Sequence, residues 1–387
     1  MAKRRKRRKK SKAGKIFFVL ELLILLILLT GVFLYAKITD KLDLMGGKDF
    51  NLKNVGFNES IVSASEYTEG YQLIALVGVD SRDGGLEGGN SDTMLIACID
   101  NSTKEVRLIS IYRDTLLRVG EDSEGNGKYR KANYAYNAGG PEQFLTMLNS
   151  NLDLMITDYV TVDFNAVAEV VDLLGGIEVD LTSQEIVHMN NYCKETSDVT
   201  GKSYTPIDEN DPGVHKLNGV QAVSYCRIRY TTGNDFKRAA RQRLVITKMV
   251  EKAKKASLGT LNDIMDTVFP MVSTSFSKTE IVKLGSSILS YNIGETAGFP
   301  FSHYMLDVEM WDLEKPLDCV APITLESNVM ELHEWLYGET NYQVSDELKA
   351  YSNRIVDLTG YGDEYIEKAH DAAVSANGDA GSEADGI

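Results

Sequence analysis

Residues 16–36, IFFVLELLILLILLTGVFLYA, form one apolar run whose only charge is Glu21. A helix needs about 20 such residues to cross the hydrocarbon of a bilayer, so the run predicts a transmembrane helix. A chain that contains it cannot fold wholly as a water-soluble globule. Ten of the chain's 41 Lys and Arg lie in the fifteen residues before it, which leaves 31 against 56 Asp and Glu in the rest. Basic residues beside a span stay in the cytoplasm, so the acidic bulk is expected outside the membrane. Topology accounts for the basic end better than a nucleic-acid arm would, and no nucleic acid is expected as a partner. A cleaved signal peptide is the rival reading. Against it, the run is long for an h-region, and Leu34-Tyr35-Ala36 is a poor small-residue cleavage site.

Residues 37–70 are polar, glycine-bearing and without a sustained period, and read as an extracellular stalk. Tyr71–Val79, YQLIALVGV, is a continuous apolar run of the kind found in a central strand covered on both faces. Residues 80–91 form a loop dense in glycine and acid. Residues 92–99 and 105–112 predict two further buried strands, joined as a hairpin by the turn at 101–103. A helix is expected from the glycine pair at 139 and 140 to residue 149, with Pro141 at a first helical position. Residues 158–164 alternate as a strand, 165–174 as a short helix ended by Gly175-Gly176, and 177–181 as another strand. Residues 182–211 read as a long polar loop or flap.

Helical spacing then covers 217–225, 236–256, 260–272 and 278–291, with a strand at 299–308 and helices at 325–337 and 345–358. Interleaved strands and helices predict an α/β fold, a mixed central β-sheet covered by helices on both faces, preceded by one transmembrane helix. The expected organisation is a basic tail (1–15), a span (16–36), a stalk (37–70), a catalytic domain (71–310), a helical C-terminal extension packed on it (311–370) and a disordered acidic tail (371–387). Cys98, Cys193, Cys226 and Cys319 are widely spaced with no CxxC, so buried free thiols are favoured, although an exterior location permits a disulfide. HExxH, GxSxG and GxxxxGK[ST] are absent from the sequence, which removes three common hydrolase or nucleotide-binding readings.

Residues 226–243, CRIRYTTGNDFKRAARQR, hold five arginines and a lysine against one aspartate. If 226–230 is extended, Arg227 and Arg229 share a face. If a helix starts near Asp235, Arg238 and Gln242 lie on the arc of Val245 and Met249, so the cations sit on or beside the apolar stripe, as in a cleft. The bland reading is a surface patch with Asp235 as an N-cap. Other polar residues stand at ends of apolar strands, where α/β sheets bind ligands: Asp80, Arg82 and Asp92; Arg113 and Asp114; Lys131 and Asn133. Alone each reads as a turn cap, a surface ion pair or ordinary solvation. Gathered, they would give carboxylates for Mg²⁺ and arginine forks for phosphate oxygens.

The blocks GVDSRDGG (78–85), SDTMLI (91–96), LISIYRDT (108–115), KANYAYNAGGPE (131–142), DYVTVDF (158–164), LLGGIEVD (173–180), HKLNGVQAVSYCRIR (215–229) and DFKRAARQR (235–243) occur in this order. Together they resemble the LytR-CpsA-Psr family of Gram-positive cell-wall ligases, over roughly residues 71–250. The resemblance implies a membrane-anchored phosphotransferase outside the cell. It would move a glycopolymer (wall teichoic acid, capsule or a similar polymer) from a polyprenyl pyrophosphate carrier to the muramic acid C6 hydroxyl of peptidoglycan, forming a phosphodiester.

By position, Asp80 and Asp92 match the acids associated with Mg²⁺ (or Mn²⁺). Arg82, Arg113, Lys131, Arg227, Arg229, Arg238, Arg241 and Gln242 match the pyrophosphate-binding set, and Asp235 the acid that opens the arginine helix. Asn90 stands where many members have arginine, and KAN replaces a KLN-type block. Asp235 is a candidate base for the acceptor hydroxyl, or a structural anchor for Arg238 or Arg229. The carrier requires an apolar groove that the sequence does not place. Two alternatives remain: a lipid-pyrophosphate pyrophosphatase with water as acceptor, and a non-catalytic binder of wall polymer or lipid, or a regulator.

Overall fold

The computed structural model describes residues 41–43, 45–47, 49–63, 68–79, 86, 89–229, 234–287 and 290–378. The expected span at 16–36, the basic tail, Asp80, Arg82 and most of the acidic tail lie outside these residues. Among the described residues no helix is long and apolar enough to cross a membrane. The chain divides into two compact units, Met1–Leu44 and Met45–Ile387. Only residues 41–43 of the first are described; the sheet, its helices and the site all belong to the second.

Tyr71–Val79 is β1, near the middle of a six-stranded mixed sheet of order β10-β3-β2-β1-β6-β9. It pairs antiparallel with β2 (Ser91–Asp100) and parallel with β6 (Asp158–Asp163). β2 turns into β3 (Glu105–Ile111), which lies parallel to β10 (Asn292–Phe299), while β9 (Val272–Thr274) closes the far edge. Alternation along β1 divides its side chains. Ala75, Val77 and Val79 enter the main core, and Ile74 and Leu76 face the other side. Gly78 opposes Thr93, where a Cβ would come within 2.9 Å of the threonine Cβ, so a close strand approach requires glycine.

Helices cover both faces. After the short α1 (Glu59–Ser63), the main core packs on α2 (Tyr134–Leu152), which starts before the glycine pair expected to open it and is kinked at Gly139 and Gly140, ahead of Pro141. β4 (Leu116–Glu121) and β5 (Gly127–Lys131) form a hairpin that the hydrophobic pattern does not announce. Beyond the sheet, β11 (His303–Val308) pairs with β12 (Leu317–Pro322), so residues 299–308 belong to two strands rather than one. The C-terminal α9 (Leu325–Tyr337) and α10 (Asp346–Thr359) fall where expected and send Val329, Leu332, Leu336, Leu348 and Ile355 into the main core. α11 (Ile366–Gly378) corrects the expectation of disorder from residue 371: its Ala369 and Ala373 are buried.

A second core joins α3 (Phe164–Leu173), the β7 (Ile177–Leu181) and β8 (Gly213–Leu217) hairpin, α4 (Ser183–Thr200), α5 (Gly219–Arg227) and α6 (Asn234–Ala253). Two expectations are corrected here. Residues 183–200 are helical, not loop, because Thr182 and Glu185 form a reciprocal capping box and Ile186, Met189, Cys193 and Thr196 make a narrow buried stripe. Cys226 and Arg227 are not extended either, since they end a helix that a second capping box, Asn218 with Gln221, starts. The remaining helices are α7 (Leu258–Val268) and α8 (Lys278–Ser287). All four cysteines are free.

Candidate active site

β2 and β3 run antiparallel, with Leu95 opposite Ser110, so the start of one strand lies beside the end of the other. This brings Asp92 next to Arg113. Arg113 Nη1 donates to Asp92 Oδ1 at 2.8 Å, and its Nε lies 3.3 Å from Asp114 Oδ2 and 3.8 Å from Asp235 Oδ2. The first turn of α6 supplies Asp235 and, three residues on, Arg238. Arg238 donates to the Asp92 carbonyl at 2.9 Å and pairs with the carboxylates of Asp92 and Asp235, each at 3.3 Å. Arg229 closes the ring at 3.7 Å from Asp92 and 3.8 Å from Asp235. Lys131, at the end of β5, reaches Asp114 at 3.2 Å. Four cations thus meet three carboxylates at one end of the sheet.

Burial and charge compete at each group. Burial pushes the Asp235 carboxyl up, but Arg113, Arg238 and Arg229 outweigh it and hold the group below the usual carboxylate range. Burial works against the charge on Arg113, which Asp114, Asp235 and Asp92 overcome, so its pKa rises. At Arg238, with a side chain 4% exposed, burial wins and the pKa falls, although a guanidinium this basic keeps its proton. Its Nε is buried without a hydrogen-bond partner.

Two predicted residues are directed elsewhere. Arg227 bonds Glu195 at 3.0 Å and Thr196 at 3.1 Å and sits over the rings of Phe164 and Tyr192. Arg241 pairs with Glu185 at 2.9 Å, donates to the Ile228 carbonyl and lies over Tyr225, tying α6 to α4. Asp114, grouped in the sequence with Arg113 at the end of its strand, links that arginine to Lys131.

An apolar cavity of about 220 Å³ opens between the sheet and α3, α5 and α6. Leu76 and Leu95 form its floor, Val167 and Val170 one wall, and Val245, Ile246 and Met249 another. Its residues come from segments scattered between 76 and 268, so no local pattern announces it. Gln242 lines both this cavity and the cleft that holds Asp92, Arg113, Asp235 and Arg238. The site therefore couples a cationic head to an apolar channel.

Carboxylate oxygens suit a hard cation such as Mg²⁺. Asp92 is such a donor, but arginines already hold it, and a metal would have to displace one of them. Among the described residues no group of three or more His, Cys, Asp or Glu is arranged to hold a metal.

The LytR_cpsA_psr family model matches residues 40–310. The chain belongs to this family. A family relative from Enterococcus faecalis, the polyisoprenyl-teichoic acid–peptidoglycan teichoic acid transferase TagU, is 32% identical over 214 residues, covering 54% of this chain and 63% of the relative. TagV of Bacillus subtilis, of the same designation, is 28% identical over 209 residues, covering 54% of this chain and 50% of the relative. The chain thus spans under two thirds of these relatives' lengths. Among solved structures, TagT bound to LI-WTA superposes with a TM-score of 0.51 at 21% identity, covering 71% of this chain and 93% of TagT, which fixes a shared fold.

Proposed function

We propose that this family member is a membrane-anchored extracellular phosphotransferase that moves a glycopolymer from a polyprenyl pyrophosphate carrier to peptidoglycan. The observation that carries this reading is the junction at Gln242 of the arginine–aspartate cluster and the apolar cavity. A polyprenyl pyrophosphate has the same two parts, an anionic head and a hydrocarbon tail. The transferase names of TagU and TagV, and the LI-WTA bound to TagT, support it. In this reading residues 16–36 anchor the chain with residues 1–15 in the cytoplasm, and residues 71–310 with the helical extension at 311–370 work outside. The expected stalk is corrected, since Val55 and Ile61 are buried in the main core and Asn58 bonds Asp153, so this segment packs on the domain.

The acceptor hydroxyl attacks the phosphorus next to the glycan. A new P–O bond forms, the bond to the bridging oxygen breaks, polyprenyl phosphate departs and the hydroxyl proton is released. Arg113, Arg229 and Lys131 neutralise the pyrophosphate and the charge developing on the leaving phosphate. Arg238, buried and bonded to the Asp92 backbone, orients the others, and Asp235 holds Arg113, Arg229 and Arg238 in register. A carboxyl kept ionised by three arginines is a weak base, which favours the structural role for Asp235. Asp80 and Asp92 are the residues that would hold Mg²⁺ (or Mn²⁺), which would supply further charge neutralisation when bound. Arg82 joins the phosphate-binding set by position, and Arg227 and Arg241 support the cluster from behind.

The test supplies full-length protein in detergent with lipid-pyrophosphate-linked glycan, Mg²⁺ and peptidoglycan oligomers. Glycan–peptidoglycan phosphodiester and free polyprenyl phosphate are expected together, and Arg113→Ala should cost about 10²–10³ in rate, as for removal of one transition-state donor. Equal polyprenyl phosphate release without peptidoglycan would replace transfer by hydrolysis. Lipid binding with no turnover would leave a binder.

A further inference from the structure

The opposite face of α6 borders a second cavity of about 300 Å³, walled by Tyr112, Phe236 and Phe301 and bearing the cations Arg243 and Lys237. Arg243 is 8% exposed. Its Nη1 donates to Ser110 Oγ at 2.8 Å, its Nε is buried with no hydrogen-bond partner, and among the described residues it makes no ion pair. A guanidinium withdrawn from water without a counter-ion is costly, and burial indeed pulls its pKa down. The neighbouring arginines differ: Arg238 has two carboxylates and Arg241 has Glu185. Gly298 keeps the β10 wall open, since a Cβ there would fall 2.1 Å from the Tyr112 hydroxyl. Tyr112 lines both this cavity and the cleft of Asp92 and Asp235, so the two adjoin.

We infer that this cavity is a second anion subsite, which takes a carboxylate or phosphate group borne on a sugar beside the reacting pyrophosphate. Arg243 supplies the buried charge, Lys237 a second cation, and the aromatic walls face the sugar. The inference rests on the phosphotransfer reading for its source: the anion belongs to the incoming peptidoglycan, as a carboxylate, or to the glycopolymer, as a phosphate.

Two probes separate these sources on full-length protein in detergent micelles. N-acetylmuramyl-L-alanyl-D-isoglutamine presents one carboxylate, on the peptide its sugar carries, and glycerol 3-phosphate presents a phosphate. Calorimetry on wild type should show binding of at least one. Arg243→Met should weaken it about tenfold or more, as for loss of a charge-assisted hydrogen bond, and Arg243→Lys by less. Because Arg243→Met removes an unpaired buried charge, its melting temperature should match or exceed wild type. If it fails to fold, Lys237→Met carries the same test with a smaller loss. Absence of binding by both probes to wild type, or unchanged binding by the variants, overturns the subsite. Polyprenyl pyrophosphate affinity, measured alongside and expected to survive in the variants, reports separately on the phosphotransfer reading.

Discussion

Filling the apolar cavity should separate tail binding from head binding. Val167, half-buried on α3, lines the cavity wall, and a tryptophan there would occupy much of its roughly 220 Å³. At about 0.8 kcal/mol per buried methylene, displacing one isoprene unit of about five carbons forfeits about 4 kcal/mol, nearly three orders of magnitude in affinity. Overpacking would add about 1–3 kcal/mol of strain to the fold, so melting temperature must be read beside binding. The assay is calorimetric titration of wild type, Val167→Trp and Val167→Ala with a polyprenyl pyrophosphate, and with inorganic pyrophosphate as a tail-free control. Val167→Trp should lose the lipid and keep inorganic pyrophosphate, while Val167→Ala, which only widens the wall, should keep both. A folded Val167→Trp that binds the lipid within about threefold of wild type would refute the assignment of this cavity to the tail.

Two further predictions concern stability. Burial pulls His303 and His333 from an ordinary 6.5 to about 4: His303 is enclosed by Tyr112 and Phe236 and bonded to the Pro300 carbonyl, and His333 is stacked 3.7 Å from Tyr342 and bonded to the Leu152 carbonyl. The unfolded chain takes up these protons first, so their contribution is complete above pH 6.5 and is lost as pH falls towards 4, about 3 kcal/mol each. Urea midpoints should drop over that window and drop less in His333→Phe; a flat profile from pH 7 to 4.5 contradicts this. Asp153, buried in the left-handed region at φ 51°, accepts from Ser345 N and Oγ, each at 2.7 Å, from Tyr342 and from Asn58, pinning the N-terminal segment and the cap of α10 to the end of α2. Asp153→Asn keeps the shape but turns an acceptor into a donor among donors, so a loss of about 3 kcal/mol is expected from denaturant unfolding, and less than about 1 kcal/mol would show the cluster to be dispensable.

The strands of the central sheet are legible in the sequence because each is a run with its own hydrophobic signature. β1 and β2 are nearly continuous, as strands covered on both faces must be, and β6 alternates. α4 is not legible in the same way: its surface is polar, and only one residue in three or four touches the core. The available signal is the pair Thr182 and Glu185 at capping-box spacing. The omission of α4 carries into the site. The partners of Arg227 and Arg241 are Glu195 and Glu185, both on α4, so reading α4 as loop hides the acids that these two arginines, placed in the phosphate set by resemblance, are paired with. The alternation of Cys226–Arg227–Ile228–Arg229 imitates a strand, but its first two residues complete the helix that Asn218 caps.

The cluster at Asp92 shows why so cationic a segment needs its acids. Three guanidiniums within reach of the same two carboxylates repel one another in a partly desolvated cleft, and Asp92 and Asp235 offset that repulsion by being shared. Sharing leaves the arginines unequally committed. Arg238 is buried and bonded to backbone, so its position is fixed. Arg229 holds its acids only at 3.7 and 3.8 Å, beyond hydrogen-bond length, with a side chain 38% exposed. It can therefore turn to a phosphate oxygen at little cost, whereas Arg238 cannot move without uncovering the Asp92 carbonyl. Arg113 stands between, with one short bond to Asp92 and longer contacts to Asp114 and Asp235. On the phosphotransfer reading this ordering assigns capture of the incoming pyrophosphate to Arg229, its clamping to Arg113 and the geometry of both to Arg238. Asp235 then serves as the counter-ion that keeps an empty cleft folded and yields its arginines when a stronger anion arrives.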